Sequence, residues 1–379
     1  MSSPINSKIC CILGLSNLAA FFFFLANAKA DSPPLNSAAQ DNLDRILETG
    51  ECYFCIIDDL ELIDIDLSNA ILEGAVIERS EIIDSDLFEI DLKNGRIESV
   101  DFSGSNLSFS DFTGVDFEYV TVDRVIANDA TFQEARVGAV TFRGSSLSGS
   151  SFEEAYLEGV SFRDSNLLNA SFGNATLVRV DFIGADLKEV DFEQTIFENV
   201  VYTSETIFPD DFSVPSTGMY LLAPYSSVIG LEFYGGDFSG LDLTGMNFSR
   251  TYINVDFSRS ILDMTIFDHA ILRRAEFRNA SLESSSFCGG NLVTTNLHDA
   301  NLMNSAISLA TLTLADLSGA TLQGADLRGS DLSEANIENT NFQGVVYDTN
   351  TRFPEGFAPE AAGAIFSDEV IEECPPVQR

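Results

Sequence analysis

Apolar residues recur at every fifth position over most of the chain. From Leu62 to Phe197, each fifth residue is Leu, Ile, Phe or Val, except for Ala127. The residue two places before each of these centres is nearly always Ala, Ser, Gly, Thr or Val. A helix repeats its apolar face about every 3.6 residues and a strand about every 2 residues, so neither element explains this spacing. The pattern indicates a repeat array with a five-residue unit.

A second run with the same unit begins at Phe233 and, after the loss of one residue, continues to Phe342. Each run ends in the pattern V-V-Y-x3-T-x-F-P-x2-F, which starts at Val200 and again at Val345. Because proline lacks a backbone donor, each copy is expected to terminate its run. The prediction is therefore two modules, residues 56–202 and 231–347. Residues 203–230 connect them, and residues 348–379 form a C-terminal cap and tail.

The stretch ADLSGATLQGADLRGSDLSEANI, residues 315–337, resembles the pentapeptide-repeat family, whose unit is written A(D/N)LXX. The resemblance is looser over residues 115–140, where Val replaces Ala. It implies an all-β fold, a right-handed quadrilateral β-helix in which four pentads form one square coil. The centre and the small residue before it would point inward, and the other three residues outward.

Four pentads per coil would place residues twenty apart on top of each other, at the strand spacing of about 4.8 Å. A small inward residue beside each large one lets four walls close around a narrow core at high density. The sequence then predicts one internal column of phenylalanines and a second on the opposite wall, with leucines on the other two walls. The first column is Phe112, Phe132, Phe152, Phe172 and Phe192, and the second is Phe142, Phe162 and Phe182.

Residues 31–55 are expected to hold a linker and a short capping helix. The segment 38–50 has Asp41 as its expected N-cap, an apolar face of Leu43, Ile46 and Leu47, and a terminal glycine. A stacked β-structure exposes an edge at its first coil, so a cap is needed there.

The first thirty residues have the pattern of an export signal peptide. Lys8 precedes an apolar stretch at 9–26, and Ala28-Lys29-Ala30 provides small residues for cleavage before Asp31. An uncleaved anchor is the alternative, because the apolar stretch is close to membrane-spanning length. The expected location is the periplasm, the thylakoid lumen or the extracellular space, as in an exported cyanobacterial-like protein, with no stable membrane insertion after cleavage.

The formal net charge of −39 at pH 7 excludes one class of function. A protein that binds nucleic acid by neutralising phosphates needs an excess of Lys and Arg, so direct nucleic-acid binding is not expected. The charge is compatible with a soluble acidic rod, with a surface that attracts cations, or with a mimic of a polyanion.

Four cysteines follow the leader. After export, oxidation is the default, so Cys52 and Cys55 are expected to form a small structural disulfide beside the cap. Metal binding would need two more ligands, and a redox role would need a βαβ context that the pattern lacks. The pairing of Cys288 and Cys374 stays open.

One cluster of side chains on the outer walls is a candidate catalytic site. Asp268 and Cys288 are expected on neighbouring coils with His269 beside them, which could in principle activate a nucleophile. The wall is convex and offers no pocket, and an aspartate disfavours the thiolate. The chain is therefore predicted to be no enzyme, with no catalytic residue and no cofactor.

Two further outward columns were candidates for binding. Glu61, Glu81 and Asp101 stack, so a divalent cation could bridge them, although screening by water and salt is the favoured explanation. Ile63 stacks over Ile83 as an apolar column, and this is a candidate docking patch or an ordinary scatter of exposed apolar residues.

The predicted function is that of a non-catalytic, exported acidic rod that serves as a scaffold or protein-interaction module. Its protein partner and its oligomeric state stay open. The alternative is mimicry of DNA towards a basic protein surface, because some cytoplasmic members of the family resemble DNA in charge and bind topoisomerases. A third hypothesis is a surface protein that binds divalent cations.

Overall fold

The computed structural model describes residues 37–374, and the fold there is nearly all-β with one helix. The predicted signal peptide and its cleavage site lie outside the described residues, as do residues 375–379. No helix within residues 37–374 is long and apolar enough to cross a membrane.

The helix α1 spans Ser37–Thr49, and short strands follow it around the walls of the coil. The strands are β1 Ile56–Asp58, β2 Glu61–Ile63, β3 Val76–Glu78, β4 Glu81–Ile83, β5 Arg96–Glu98, β6 Asp116–Glu118, β7 Arg136–Gly138, β8 Tyr156–Glu158, β9 Thr176–Val178, β10 Ile196–Glu198, β11 Val200–Tyr202, β12 Met219–Leu221, β13 Glu232–Asp237, β14 Tyr252–Asp256, β15 Val346–Tyr347 and β16 Ile365–Phe366.

Every strand pair is parallel, and most pairs are twenty residues apart. The largest sheet has eight strands in the order β1-β3-β5-β6-β7-β8-β9-β10, with Ile57 paired to Ile77 and Ile77 to Ile97. Single bridges continue the same register on the other walls, for example from Asp111 to Thr131. The predicted right-handed quadrilateral β-helix with four pentads per coil is thereby confirmed.

The two predicted phenylalanine columns line the interior. The ring of Phe152 lies 4.8 Å from that of Phe132 and 5.0 Å from that of Phe172, with nearly parallel planes. The rings of Phe142 and Phe162 stack at 5.2 Å on the opposite wall, and they meet the first column edge to face. Each ring therefore has partners above, below and across the core.

The backbone conformation at the corners of the coil explains which polar residues the repeat unit carries. The second residue after most centres has a positive φ, such as 60° at Asn69 and 70° at Gly74, so Asn, Asp and Gly are favoured there. The Asp or Asn before the centre accepts a hydrogen bond from the backbone two residues on, as Asp66 Oδ1 does from Ser68 N at 3.0 Å. This local turn holds the chain as it passes from one wall to the next.

Helix α1 closes the first coil, because Ala39, Leu43 and Ile46 are buried in the same core as the first pentads. The N–H of Gly50 donates to the carbonyl of Ile46 at 2.8 Å and ends the helix. Two details of the prediction were wrong. The helix already begins at Ser37, so Asp41 is not its N-cap, and Leu47 is exposed.

Aromatic side chains close the other end of each run. The ring of Phe212 lies 5.0 Å from that of Phe192, and Phe357 lies 4.7 Å from Phe342 in the second run. Phe212 and Phe357 each end a copy of the F-P-x2-F pattern, so the pattern covers the end of the core with an aromatic ring after its proline ends the coil.

The chain contains two separate cores. We call residues 51–202 the first unit and residues 222–347 the second unit. Leu222 and Val228 already belong to the second core, so its coils begin before residue 231, within the segment expected to be a connector. Two residues of the first unit, Ile183 and Val201, also pack into the second core.

Candidate interaction surfaces

The two units meet on a side wall of the first unit. Arg143 and Arg163 project outward from two neighbouring coils there, and both guanidinium groups reach the carboxylate of Asp237, at 2.8 and 3.1 Å. Arg163 also donates to the backbone carbonyls of Asp237 and Ser239, at 2.7 and 2.8 Å. Arg163 is nearly buried by these contacts.

This junction sets the arrangement of the units. Ile183 stands on the same wall one coil beyond Arg163, and it is buried under the second unit. The end of the first core is covered by Phe208 and Phe212 and is therefore not where the second unit docks. The second unit lies against the side of the first and does not continue it coaxially. The sequence pattern alone gave no means to identify these residues.

A buried carboxylate, that of Asp181, completes the junction. It accepts hydrogen bonds from the hydroxyl of Ser161 at 2.6 Å and from the backbone N–H of Ile183 at 2.8 Å. Burial raises the pKa of Asp181 to about 6, against the hydrogen bonds and the nearby charge of Arg163, while the carboxylate of Asp237 adds to the increase. The ionised carboxylate of Asp181 therefore destabilises the folded state at neutral pH.

We expect Asp181→Asn to stabilise the protein at neutral pH. A folded-state pKa above the unfolded value means that Asp181 contributes stability at low pH, and that this contribution is lost as the pH rises from about 4 through about 6. Because each pKa unit is worth about 1.4 kcal/mol, the variant should gain up to about 3 kcal/mol near pH 7.5. Chemical denaturation of both proteins at several pH values measures the difference.

The gain should disappear below about pH 4, where the carboxyl group of Asp181 is protonated in both states. Asp186→Asn is the matched control, since Asp186 lies on the next wall and is only half-buried. A gain at Asp181 that is the same at all pH values would contradict a titrating carboxylate.

The cysteines near the cap lie where the sequence predicted. The structure places a disulfide between Cys52 and Cys55, and the side chain of Arg45 on α1 contacts the sulfur of Cys52. The bond closes the short segment between α1 and β1. Non-reducing peptide mapping of the purified protein tests the pair, and two free thiols there would contradict it.

A second disulfide joins Cys288 to Cys374 and binds the C-terminal tail to the second unit. Cys288 is therefore not a free thiol, and the candidate cluster with Asp268 and His269 has no nucleophile in this state. Asp268 Oδ1 instead accepts from the backbone N–H of Cys288 at 3.1 Å.

The tail runs back along one wall of the second unit. After β16 pairs with β15, Glu369 reaches Arg328 at 3.1 Å, and Cys374 reaches Cys288 two coils earlier. Ser308 stands at the outward position between these two contacts and is fully buried. The tail therefore covers this wall.

Breaking this disulfide should free the tail. In Cys374→Ser, the ion pair between Arg328 and Glu369 remains on the tail beyond Ser367, and this pair is weak because Glu369 is largely exposed. We expect glutamyl-specific proteolysis near Glu372 to speed up at least about tenfold, as local opening becomes easier. Cys52→Ser should leave the tail protected, and equal cleavage in all proteins would contradict the role of the bond.

The carboxylates of the acidic column stack on successive coils. Glu61 pairs with Glu81 across β2 and β4, and Glu81 with Asp101. Within the part of the chain that the structure describes, no group of three or more Asp, Glu, His or Cys side chains is placed to hold a metal ion.

Ile63 and Ile83 lie on adjacent coils of one outer wall, as predicted. The side chain of Ile63 is 52% exposed, and Ile83 is half-buried. Tyr53, Phe54 and Ile56 are also exposed on the first coil, on the two preceding walls. The apolar exterior at this end is thus wider than the two-residue column.

Comparison with known proteins identifies the repeat. The family model for pentapeptide repeats matches the chain in eight copies over residues 83–118, 128–164, 165–201, 253–289 and 310–346. No curated protein matches the chain.

Several solved structures are similar to parts of the chain. A pentapeptide repeat protein from Nostoc Pcc 7120 is 35% identical, with 27% of this chain and 84% of that chain covered and a TM-score of 0.27. HetL from Nostoc sp. strain PCC 7120, a pentapeptide repeat protein involved in heterocyst differentiation regulation, is 18% identical, with 80% and 94% covered and a TM-score of 0.27. One from the thylakoid lumen of Arabidopsis thaliana is 30% identical, with 28% and 65% covered and a TM-score of 0.15.

Proposed function

The chain belongs to the pentapeptide repeat family, and we propose that it is a non-catalytic, exported scaffold that holds a protein partner on its outer walls. The observation that carries the proposal is the filled interior. The largest fully buried side chains are all phenylalanines of the two internal cores, so the coil encloses packed side chains where an enzyme would have a cleft. Recognition is then left to the outward residues.

Export is supported by two independent features. The first thirty residues have a charged start, an apolar stretch and a cleavage pattern. The four cysteines of the expected mature chain form two disulfides, which persist in oxidising compartments. Cell fractionation with N-terminal sequencing of the mature protein tests this part, and the expected first residue is Asp31.

The interaction is tested by site-specific photo-crosslinking in the native compartment. A photoreactive amino acid at Ile63 should form an adduct of one discrete mass, because Ile63 is exposed and stacks with Ile83 as an apolar column on one outer wall. Ile196 is the matched control, since it is exposed to a similar degree but lies at the other end of the first unit. Adducts of the same mass from both positions, or none from Ile63, would contradict a docking patch at the capped end.

Mimicry of a polyanion is the second candidate function. It is favoured by the wall that carries Asp58, Glu78, Glu98 and Glu118, which stack on four successive coils. Arg79 and Arg96 neutralise part of this ladder through ion pairs. Mature protein in the cytoplasm would favour mimicry, and mature protein in an exported compartment would favour the scaffold.

A further inference from the structure

One wall of the second unit lacks carboxylates over four successive coils. We call it the neutral wall, and its residues are 252–254, 271–274, 291–294 and 311–314. Parallel bridges from Tyr252 to Ile271, Asn291 and Thr311 place these segments on top of each other. In a protein with a net charge of −39, such a stretch stands out from the other walls.

Charge is ordered along this wall. Arg273 and Arg274 lie on its second coil, two coils from Glu232, and both are exposed and have no ion pair within residues 37–374. The next coil at the far end carries Asp331 and Glu334. Arg352 pairs with Asp331 at 3.5 Å, while Glu334 is exposed and makes no ion pair in the described chain.

One corner of the wall shows the order most clearly. Its outward residues on four successive coils are Arg274, Thr294, Leu314 and Glu334, and all four have a positive φ near 60°. A cation stands at one end, an anion at the other, and a neutral pair between them. Leu314 is 55% exposed.

We propose that the neutral wall binds a second copy of this chain in an antiparallel, two-fold arrangement. With the axis between Thr294 and Leu314, Arg274 faces Glu334 of the partner subunit, and Glu334 faces Arg274 of the partner subunit. This is the self-complementarity that a two-fold interface requires. The proposal goes beyond the scaffold function, because it rests on the charge order of this wall alone.

A second copy fits this wall better than it fits the others. Two copies with a net charge of −39 repel each other, and the repulsion is weakest where carboxylates are absent. The other contacts of the second unit lie on different walls, since Asp237 and Ser239 meet the first unit and the tail covers Cys288 and Ser308. The neutral wall is therefore accessible.

The wall is small for an interface. The four coils of the neutral wall and the next coil, which carries Glu334, together extend over about 20 Å at the strand spacing, which places the contact at the low end of known interfaces. We therefore expect a dissociation constant on the order of 10 μM.

Sedimentation of the full mature chain tests the proposal, at about 0.15 M salt so that long-range repulsion is screened. The parent should pass from monomer to dimer between about 1 and 100 μM. Arg274→Glu and Glu334→Arg should each weaken the dimer at least about tenfold, because each places like charges opposite each other. The double variant should restore it.

If the double variant restores the dimer, the restored ion pair can only lie between two subunits. Within one copy the two positions are three coils apart, or about 14 Å, beyond the reach of a direct ion pair. Arg259→Glu is the matched control, an exposed arginine without an ion pair in the described residues that lies on an adjacent corner. All variants should melt like the parent, because both positions already hold side chains at positive φ.

A monomer at all concentrations would overturn the proposal, as would a dimer that Arg274→Glu leaves intact or a double variant that stays monomeric. None of these outcomes affects the crosslinking at Ile63, so failure of this inference is distinguishable from failure of the scaffold function.

Discussion

Phe152→Ala is expected to destabilise the first unit by roughly 3–5 kcal/mol, as large-to-small changes of buried aromatics do. The ring of Phe152 is fully buried, stacks between Phe132 and Phe172, and meets Phe142 and Phe162 edge to face. Alanine would leave a cavity between two stacked rings that the adjacent coils hold at a fixed distance, so the core cannot collapse into it. Thermal and chemical unfolding measure the loss.

Phe109→Ala provides the same chemical change outside the core. The side chain of Phe109 is 54% exposed at a corner and contacts Phe88 on the next coil. Its removal should cost less than about 1 kcal/mol, because little apolar area returns to water. Equal losses at Phe109 and Phe152 would show that the inward register is misassigned.

The interior could be predicted from the sequence because one rule generates it. A period of five with a small residue two places earlier fixes which side chains point inward, and a coil of twenty residues fixes which of them stack. The columns from Phe112 to Phe192 and from Phe142 to Phe182 follow directly. The start of α1 was less predictable, since Asp41 is a capable cap by residue type although the helix already begins at Ser37.

The relation between the units could not be predicted in the same way. It depends on Arg163, Asp181 and Asp237, which occupy ordinary outward positions and repeat no motif. Their contacts require the segment at residues 203–218 to return the chain along the side of the first unit. The disulfide between Cys288 and Cys374 could not be predicted from the repeat either, because it joins residues 86 apart along the chain.

The junction should fail when Arg163 is replaced by Met. Methionine keeps the apolar stem but removes the charge opposite Asp237 and the donors to the carbonyls of Asp237 and Ser239. It also leaves the buried carboxylate of Asp181 without its nearest cation. Truncating one partner of a buried, hydrogen-bonded charge pair costs about 2–5 kcal/mol.

This loss should separate the units without unfolding either core, because each core packs largely on its own phenylalanines and leucines. We therefore expect two calorimetric transitions in place of one, and a larger radius of gyration by small-angle X-ray scattering.

Arg143→Met is the matched control. Arg143 contacts the same carboxylate but is 49% exposed, so water and salt replace its ion pair at a cost below about 1 kcal/mol. If both variants separate the units, the junction depends on the charge of Asp237 and not on burial. If neither does, the apolar contacts of Ile183 and Val201 hold the units together, and the role assigned to Arg163 is wrong.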